Sequence, residues 1–201
     1  MEEDCTVKAL KKIFYIIVLL AAVFFVVALF LPKEFVLERE VTINKPAEVV
    51  FAQVVNFENR VKWSPWAALD PGAENTYEGT MGEIGSSWMW EGDPEKVGTG
   101  SLEIVNLKLG QLIETKLVFV SPRAGEANGR FTFNQTDTGT KVMWHFDQKL
   151  AYPVERYVGM FLLDGMLGPK FESGLQKLKT QCEALPEEQM EESTAKEEGG
   201  A

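Results

Sequence analysis

A single histidine, His145, and two cysteines, Cys5 and Cys182, are all this 201-residue chain offers of the side chains that most often do chemistry. A general base with its orienting partner, an activated Ser or Cys, and a zinc site each need at least one more such group close by. His145 lies between Trp144 and Phe146 in an alternating stretch, so it reads as a strand residue facing solvent. No G-x-S-x-G elbow occurs. The glycines of Gly82-Glu83-Ile84-Gly85-Ser86-Ser87 lack a P-loop lysine after them and read as a turn before a strand. Asn134-Gln135-Thr136 fits a glycosylation acceptor, which has meaning only in a eukaryotic secretory pathway. The expectation is therefore no metal, no cofactor and no catalytic residue. A formal charge of -10 with no basic stripe also argues against nucleic acid as a partner.

What the chain has in quantity is aromatic surface, five Trp and thirteen Phe. Alternation puts Trp88 and Trp90 on one face of a strand, followed by Leu102 and Ile104, then Ile113, Leu117 and Phe119, then Phe131 and Phe133, then Val142, Trp144 and Phe146. Opposite them stand Glu103, Glu114, Lys116, Arg130, Lys141 and His145. The greasy face has two readings, ordinary core and the wall of an apolar cavity. Trp63 and Trp66 flank Pro65 in a Pro- and Gly-punctuated loop, where they line a cavity mouth or cap the core. Arg39 shares a face with Leu37, Val41 and Ile43, and a guanidinium there must be paired or lie near an opening. It either pairs with Asp164 or Glu172 or binds an acidic head group. Asp164 invites the same two readings, and Phe161 joins it on a stretch of helical period.

The elements that would carry these side chains follow from pattern and punctuation. Phe35 to Ile43 reads as a first strand, ended by Asn44-Lys45-Pro46. A helix follows through Val49, Val50, Phe51 and Val54-Val55, then a short helix or turn from Glu58 to Lys62. A short strand near Tyr77 precedes runs at Ser86 to Glu91, Gly100 to Lys108, Gln111 to Val120, Gly129 to Asn134 and Lys141 to Leu150. Gly and Pro turns separate them, the mark of an antiparallel meander. After Pro153 the period becomes helical, with a kink expected at Gly165 and Gly168-Pro169. A final helix then runs from Lys170 to Ala184, its stripe of Phe171, Leu175 and Leu178 meant for a sheet. This is an α+β order.

Several stretches carry a resemblance. They are Arg39-Glu40-Val41-Thr42-Ile43-Asn44-Lys45-Pro46-Ala47-Glu48-Val49-Val50-Phe51, Trp63-Ser64-Pro65-Trp66, Tyr77-Glu78-Gly79 with Gly85-Ser86, Gly98-Thr99-Gly100-Ser101, Gly139-Thr140-Lys141-Val142-Met143-Trp144, and Gly174-Leu175-Gln176-Lys177-Leu178-Lys179. Over residues 36 to 184 the chain resembles the polyketide cyclase/dehydrase and lipid-transport group of the START-like, Bet v 1-like (SRPBCC) superfamily. That resemblance implies a helix-grip fold, a curved antiparallel sheet around a long C-terminal helix, and a hydrophobic small molecule or lipid as ligand. It also implies an alternative, a cyclase or dehydratase in which Arg39 or Tyr77 steers proton transfer. A third reading is a protein-interaction or chaperone-like module presenting exposed Trp63 and Trp66.

Ahead of this domain, residues 13 to 31 hold no charged, amide or hydroxymethyl side chain, and at 1.5 Å per residue they span about 28 Å. The end of the run, Val27-Ala28-Leu29-Phe30-Leu31, lacks the A-x-A cleavage pattern of a signal peptide, so an uncleaved anchor is expected. Lys8, Lys11 and Lys12 before it, against Lys33 and Arg39 after it, place residues 1 to 12 in the cytosol and the domain at 34 to 184 outside, periplasmic or extracellular. Cys5 and Cys182 then lie on opposite sides of the membrane. Residues 183 to 201 hold seven Glu against one Lys, and 185 to 201 read as a solvated, disordered tail.

Overall fold

A computed structural model describes residues 2 to 186, so the acidic tail expected at 185 to 201 lies almost wholly outside the described residues. The elements run α1 (Glu2–Phe30), β1 (Glu34–Ile43), α2 (Ala47–Val55), α3 (Phe57–Trp63), β2 (Glu74–Glu78), β3 (Ser87–Glu91), β4 (Thr99–Lys108), β5 (Leu112–Ser121), β6 (Gly125–Thr136), β7 (Gly139–Lys149), α4 (Val154–Val158), a π-helical turn (Gly159–Leu163) and α5 (Asp164–Glu183). The chain divides into two units. One takes residues up to Phe35 together with Lys149–Asp164, and the other takes Val36–Gln148 with the chain from Gly165 onward.

The larger unit is the sheet and its helix. Seven strands stand in the order β1-β7-β6-β5-β4-β3-β2, a curved antiparallel sheet with a long C-terminal helix. From β2 to β7 each strand pairs with the next in sequence, as a meander must, and β1 takes the edge beside β7. Side-chain alternation sets the register. Phe131 faces Trp144 and Ile113, and Phe133 faces Val142, so one sheet face is apolar along its centre. On the opposite face Arg130 pairs with Glu114 at 2.8 Å and Lys141 with Glu40 at 2.8 Å.

Helix α5 closes the apolar face. Phe171, Leu175, Leu178 and Cys182 recur at i, i+4, i+7 and i+11 and are all buried, each large apolar side chain contributing about 1.5–3 kcal/mol. Gly174 allows the close approach, because a Cβ there would stand 3.0 Å from Pro65 and 3.1 Å from the Trp144 ring. The short helices α2 and α3 meet at Asn56, which ends one and caps the other by accepting the Asn59 N–H at 3.1 Å.

Two expectations about the C-terminal helices are corrected. No break falls at Gly165 or Gly168-Pro169, and the last helix does not start at Lys170. α5 is continuous from Asp164 with Pro169 inside it. The irregularity lies upstream, where the π-helical turn inserts a wider turn between α4 and α5.

The smaller unit is built on α1. Its 21 residues Leu10–Phe30 are long and apolar enough to cross a membrane. All of their side chains are exposed except that of Ala28.

Candidate functional site

On the concave side of the sheet, rings fill the space beneath α5. Trp144 lies 4.1 Å from Phe171 and 4.9 Å from Phe131, centroid to centroid, and Trp63 meets both Phe131 (6.0 Å) and Trp144 (5.7 Å) edge-on. Phe146 packs on Phe171 at 5.8 Å, and Phe133 lies 6.4 Å from Phe131. Trp63, Phe131, Phe133, Trp144 and Phe146 are therefore brought together and buried. Towards the β2 end, Trp88 and Trp90 stand 5.6 Å apart and Phe119 lies 6.2 Å from Trp90. Here the face is more open, with Trp90, Leu117, Phe119 and Tyr77 only half-buried. The buried indoles are anchored, Trp63 donating to the Gln53 carbonyl at 3.1 Å and Trp88 to Asn75 Oδ1 at 2.8 Å. Burial, then the charge of Glu58, pushes the Tyr77 phenol above its ordinary value.

The expectation that Trp63 and Trp66 are exposed in a loop is corrected. Trp63 is the last residue of α3 and 1% exposed. Trp66 is half-buried and sets its ring edge-on against Trp144 at 5.7 Å and Phe171 at 5.6 Å. Neither stands free as a docking surface, because α3 runs one residue further at each end than its charged sequence indicates, and Trp63, its last residue, lies in the core.

Arg39 lies on the half-buried part of β1, its Nε donating to Glu172 at 2.8 Å. Phe161 and Asp164 belong to the smaller unit, where Phe161 is 67% exposed. His145 lies on the far side of the sheet, Nδ1 at 2.8 Å from Glu38 and Nε2 at 3.3 Å from Asp147. Among the described residues no group of three or more His, Cys, Asp or Glu is placed to hold a metal ion. The groove between α3 and α5, about 480 Å³, is open and lined by Lys62, Ser173, Gln176, Lys177, Thr180 and Gln181, none of them among the expected site residues.

One residue that pattern reading passed over stands out. Arg60 points inward from α3, 5% exposed, with its guanidinium 5.0 Å from the centre of the Phe131 ring and 5.8 Å from that of Trp63. Its Nη1 is buried without a hydrogen-bond partner among the described residues. Loss of hydration pushes the guanidinium from its ordinary value down to about 9, and among the described residues no carboxylate offsets it. It remains a cation at neutral pH. Phe57, Arg60 and Trp63 recur every three residues and are all buried, so the spacing that buries the two aromatics carries the arginine in with them.

Comparison with known proteins now bears on the chain. The family model described as polyketide cyclase/dehydrase and lipid transport matches residues 34–183. The chain belongs to that family. Among solved structures, a protein of unknown function from Staphylococcus aureus (SA2116) is 12% identical with a TM-score of 0.57, over 74% of this chain and 96% of that one. The ginseng major latex-like protein 151 from Panax ginseng is 14% identical with a TM-score of 0.54, over 77% and 100%. The di-domain ARO/CYC StfQ of the steffimycin biosynthetic pathway is 12% identical with a TM-score of 0.56, over 74% of this chain and 50% of that one. At such identities the likeness is one of fold. A comparison with curated proteins gives no match.

Proposed function

We propose that this family member is a membrane-tethered binding protein for a hydrophobic molecule bearing an acidic group. The observation that carries the reading is Arg60, a buried guanidinium without a carboxylate partner among the described residues, set among aromatic rings. A charge taken out of water and left unpaired is costly, and an anionic ligand would supply the missing partner. The apolar body of such a ligand suits the half-buried surface of Trp90, Leu117 and Phe119 on the same sheet face. The family's description, which includes lipid transport, agrees with a hydrophobic ligand. α1 supplies the tether, and Lys8, Lys11 and Lys12 before its apolar run favour a domain outside the cytosol. Protease added to cells stripped of any outer membrane and wall should then digest the domain, and full protection would reverse the orientation.

The binding test uses the full chain in phospholipid nanodiscs with two probes, an anthroyloxy-labelled long-chain fatty acid and its methyl ester, excited by energy transfer from tryptophan. The acid should bind saturably and at least ~10-fold more tightly than the ester, as a buried charged pair permits. In Arg60→Met that preference should vanish. Equal binding of acid and ester by the unaltered chain, or no saturable signal above empty nanodiscs, would overturn the proposal.

A further inference from the structure

The smaller unit is more than a single helix. After β7, residues 150 to 163 turn back on the C-terminal third of α1 and are fixed there by three side chains. Tyr152 donates its hydroxyl to the carbonyl of Phe25 at 2.8 Å, Tyr157 to that of Phe24 at 2.7 Å, and Arg156 Nη1 to that of Ala28 at 3.0 Å. The Tyr157 ring stacks on Phe24 with centroids 4.6 Å apart and planes 11° apart, and Arg156 lies 5.2 Å from the Tyr152 ring centre. The bond to Ala28 answers a specific need. Position 32, four residues on, is proline and has no N–H to give, so the Ala28 carbonyl would otherwise be orphaned at the helix end. A guanidinium there also faces the negative end of the helix dipole.

This docking fixes a depth. Phe24 lies six residues from the end of α1 and Ala28 two, so the three carbonyls sit within about 9 Å of that end, while the middle of the apolar run is about 15 Å away. If α1 spans a bilayer, the docked segment occupies the leaflet in which α1 ends. Its remaining face suits that place, with Val154 54%, Met160 54%, Phe161 67% and Leu162 54% exposed. Three consecutive large apolar side chains bared on one turn are unfavourable in water and favourable among acyl chains. Tyr152 and Tyr157 are the residue type that settles at the headgroup boundary.

We infer that α4 and the π-helical turn form a second membrane contact, lying in the leaflet where α1 ends with Met160, Phe161 and Leu162 among the lipid tails. The inference rests on the reading of α1 as a membrane span, and it goes further by placing a second segment of the smaller unit in the bilayer beside α1. The occupant of the apolar face is thus the bilayer, because that face is continuous with α1's own lipid-facing surface.

The test uses the full chain in phosphatidylcholine/phosphatidylglycerol nanodiscs containing doxyl-labelled lipid. Cys5→Ser removes one thiol, the buried Cys182 is left in place, and single cysteines carrying an NBD fluorophore are introduced by Phe161→Cys, Val23→Cys or Val105→Cys. Val23 reports on α1, and Val105, exposed on the sheet, gives the background. The label at position 161 should be quenched about as strongly as that at 23, and ~3-fold or more above that at 105. Quenching at 23 but not at 161 would overturn the inference while α1 remains a span. Absence of quenching at both would overturn the span and the inference together. Disulfide cross-linking of Phe161→Cys between chains, with no quenching, would assign the face to a second copy instead and so also overturn it.

Discussion

Replacing Arg60 with methionine should make the unliganded protein more stable. Burial pushes the guanidinium from its ordinary value down to about 9, and at about 1.4 kcal/mol per pH unit the charge costs roughly 5 kcal/mol to hold inside. Its stacking on Phe131 and Trp63 returns about 1–2 kcal/mol for each desolvated ring. Methionine keeps the apolar stem without the charge, so Arg60→Met should gain about 1–3 kcal/mol at pH 7. In urea that is a midpoint shift of about 1 M. The assay is a urea titration of the full chain in detergent, followed by tryptophan fluorescence. All five tryptophans lie between Trp63 and Trp144, so the signal reports on the domain and not on α1. The pH dependence has a definite sign. The folded arginine titrates below its unfolded value, so above about pH 9 the unfolded chain binds more protons, and the wild type gains stability relative to the variant as pH rises through the folded value. Below about pH 9 the penalty is fully present. A loss of 1 kcal/mol or more in Arg60→Met at pH 7 would show that the arginine holds the core together, and would refute the reasoning.

Other perturbations separate the parts of the site. Trp63, 1% exposed and bonded to Gln53, should cost about 3–5 kcal/mol as Trp63→Ala, whereas half-buried Trp66 should cost less as Trp66→Ala and raise probe affinity by opening space beside Trp144; urea melts and the nanodisc assay check both. Asp70 accepts the Asp93 N–H at 2.8 Å and has Lys96 at 3.5 Å, which together hold its carboxyl below the ordinary range. Its contribution is present above about pH 4 and lost as pH falls through the lower folded value, so the acid melt of Asp70→Asn should be less pH-dependent than that of the wild type. Burial pushes the Cys182 thiol up to about 12; a maleimide should therefore leave it unmodified at pH 8 until urea unfolds the domain. Gly139, at φ +132 in the β6-β7 turn, would drive a Cβ into the Ile43 carbonyl, so Gly139→Ala should lower stability by about 2–4 kcal/mol in the same titration.

The sheet was legible because burial on one face imposes a period of two, and the alternating runs from Trp88 to Phe146 write that period out. The ends of the strands were less so. The alternating run starts at Gly129, yet β6 begins at Gly125 because Ala127 pairs with Leu117 across a register already set by Phe131 and Ile113. The final helix illustrates the opposite limit. Gly165 and Pro169 are local breakers, but tertiary contacts of Phe171, Leu175 and Leu178 hold α5 continuous, and nothing local in Gly159–Leu163 announces a π-helical turn. Arg60 had a signal that charge obscured. Phe57, Arg60 and Trp63 share a stripe, but Glu58, Asn59 and Lys62 around them make the segment look like a solvated turn. The place of Arg39 among apolar neighbours on β1, by contrast, called for a partner and left Asp164, Glu172 and an acidic head group open, and the partner found is Glu172.

The filled interior and the unpaired arginine make one argument about binding. A cavity already open would be lined by side chains with nothing to give up, and a ligand's affinity would follow from the area it covers. Here Trp144 already contacts both Phe171 and Phe131, so a ligand entering beneath α5 must exchange ring contacts for its own, an exchange that is close to neutral for apolar groups. What it adds that the unbound protein lacks is an anion for Arg60. Discrimination should therefore lie in the head group and not in the length of the hydrocarbon, because a missing buried partner is worth more than a methylene at about 0.8 kcal/mol. The same logic explains why a stabilising substitution is available at the centre of the fold. A site that is satisfied only when occupied leaves stability unclaimed when empty, and Arg60 is where that deficit sits.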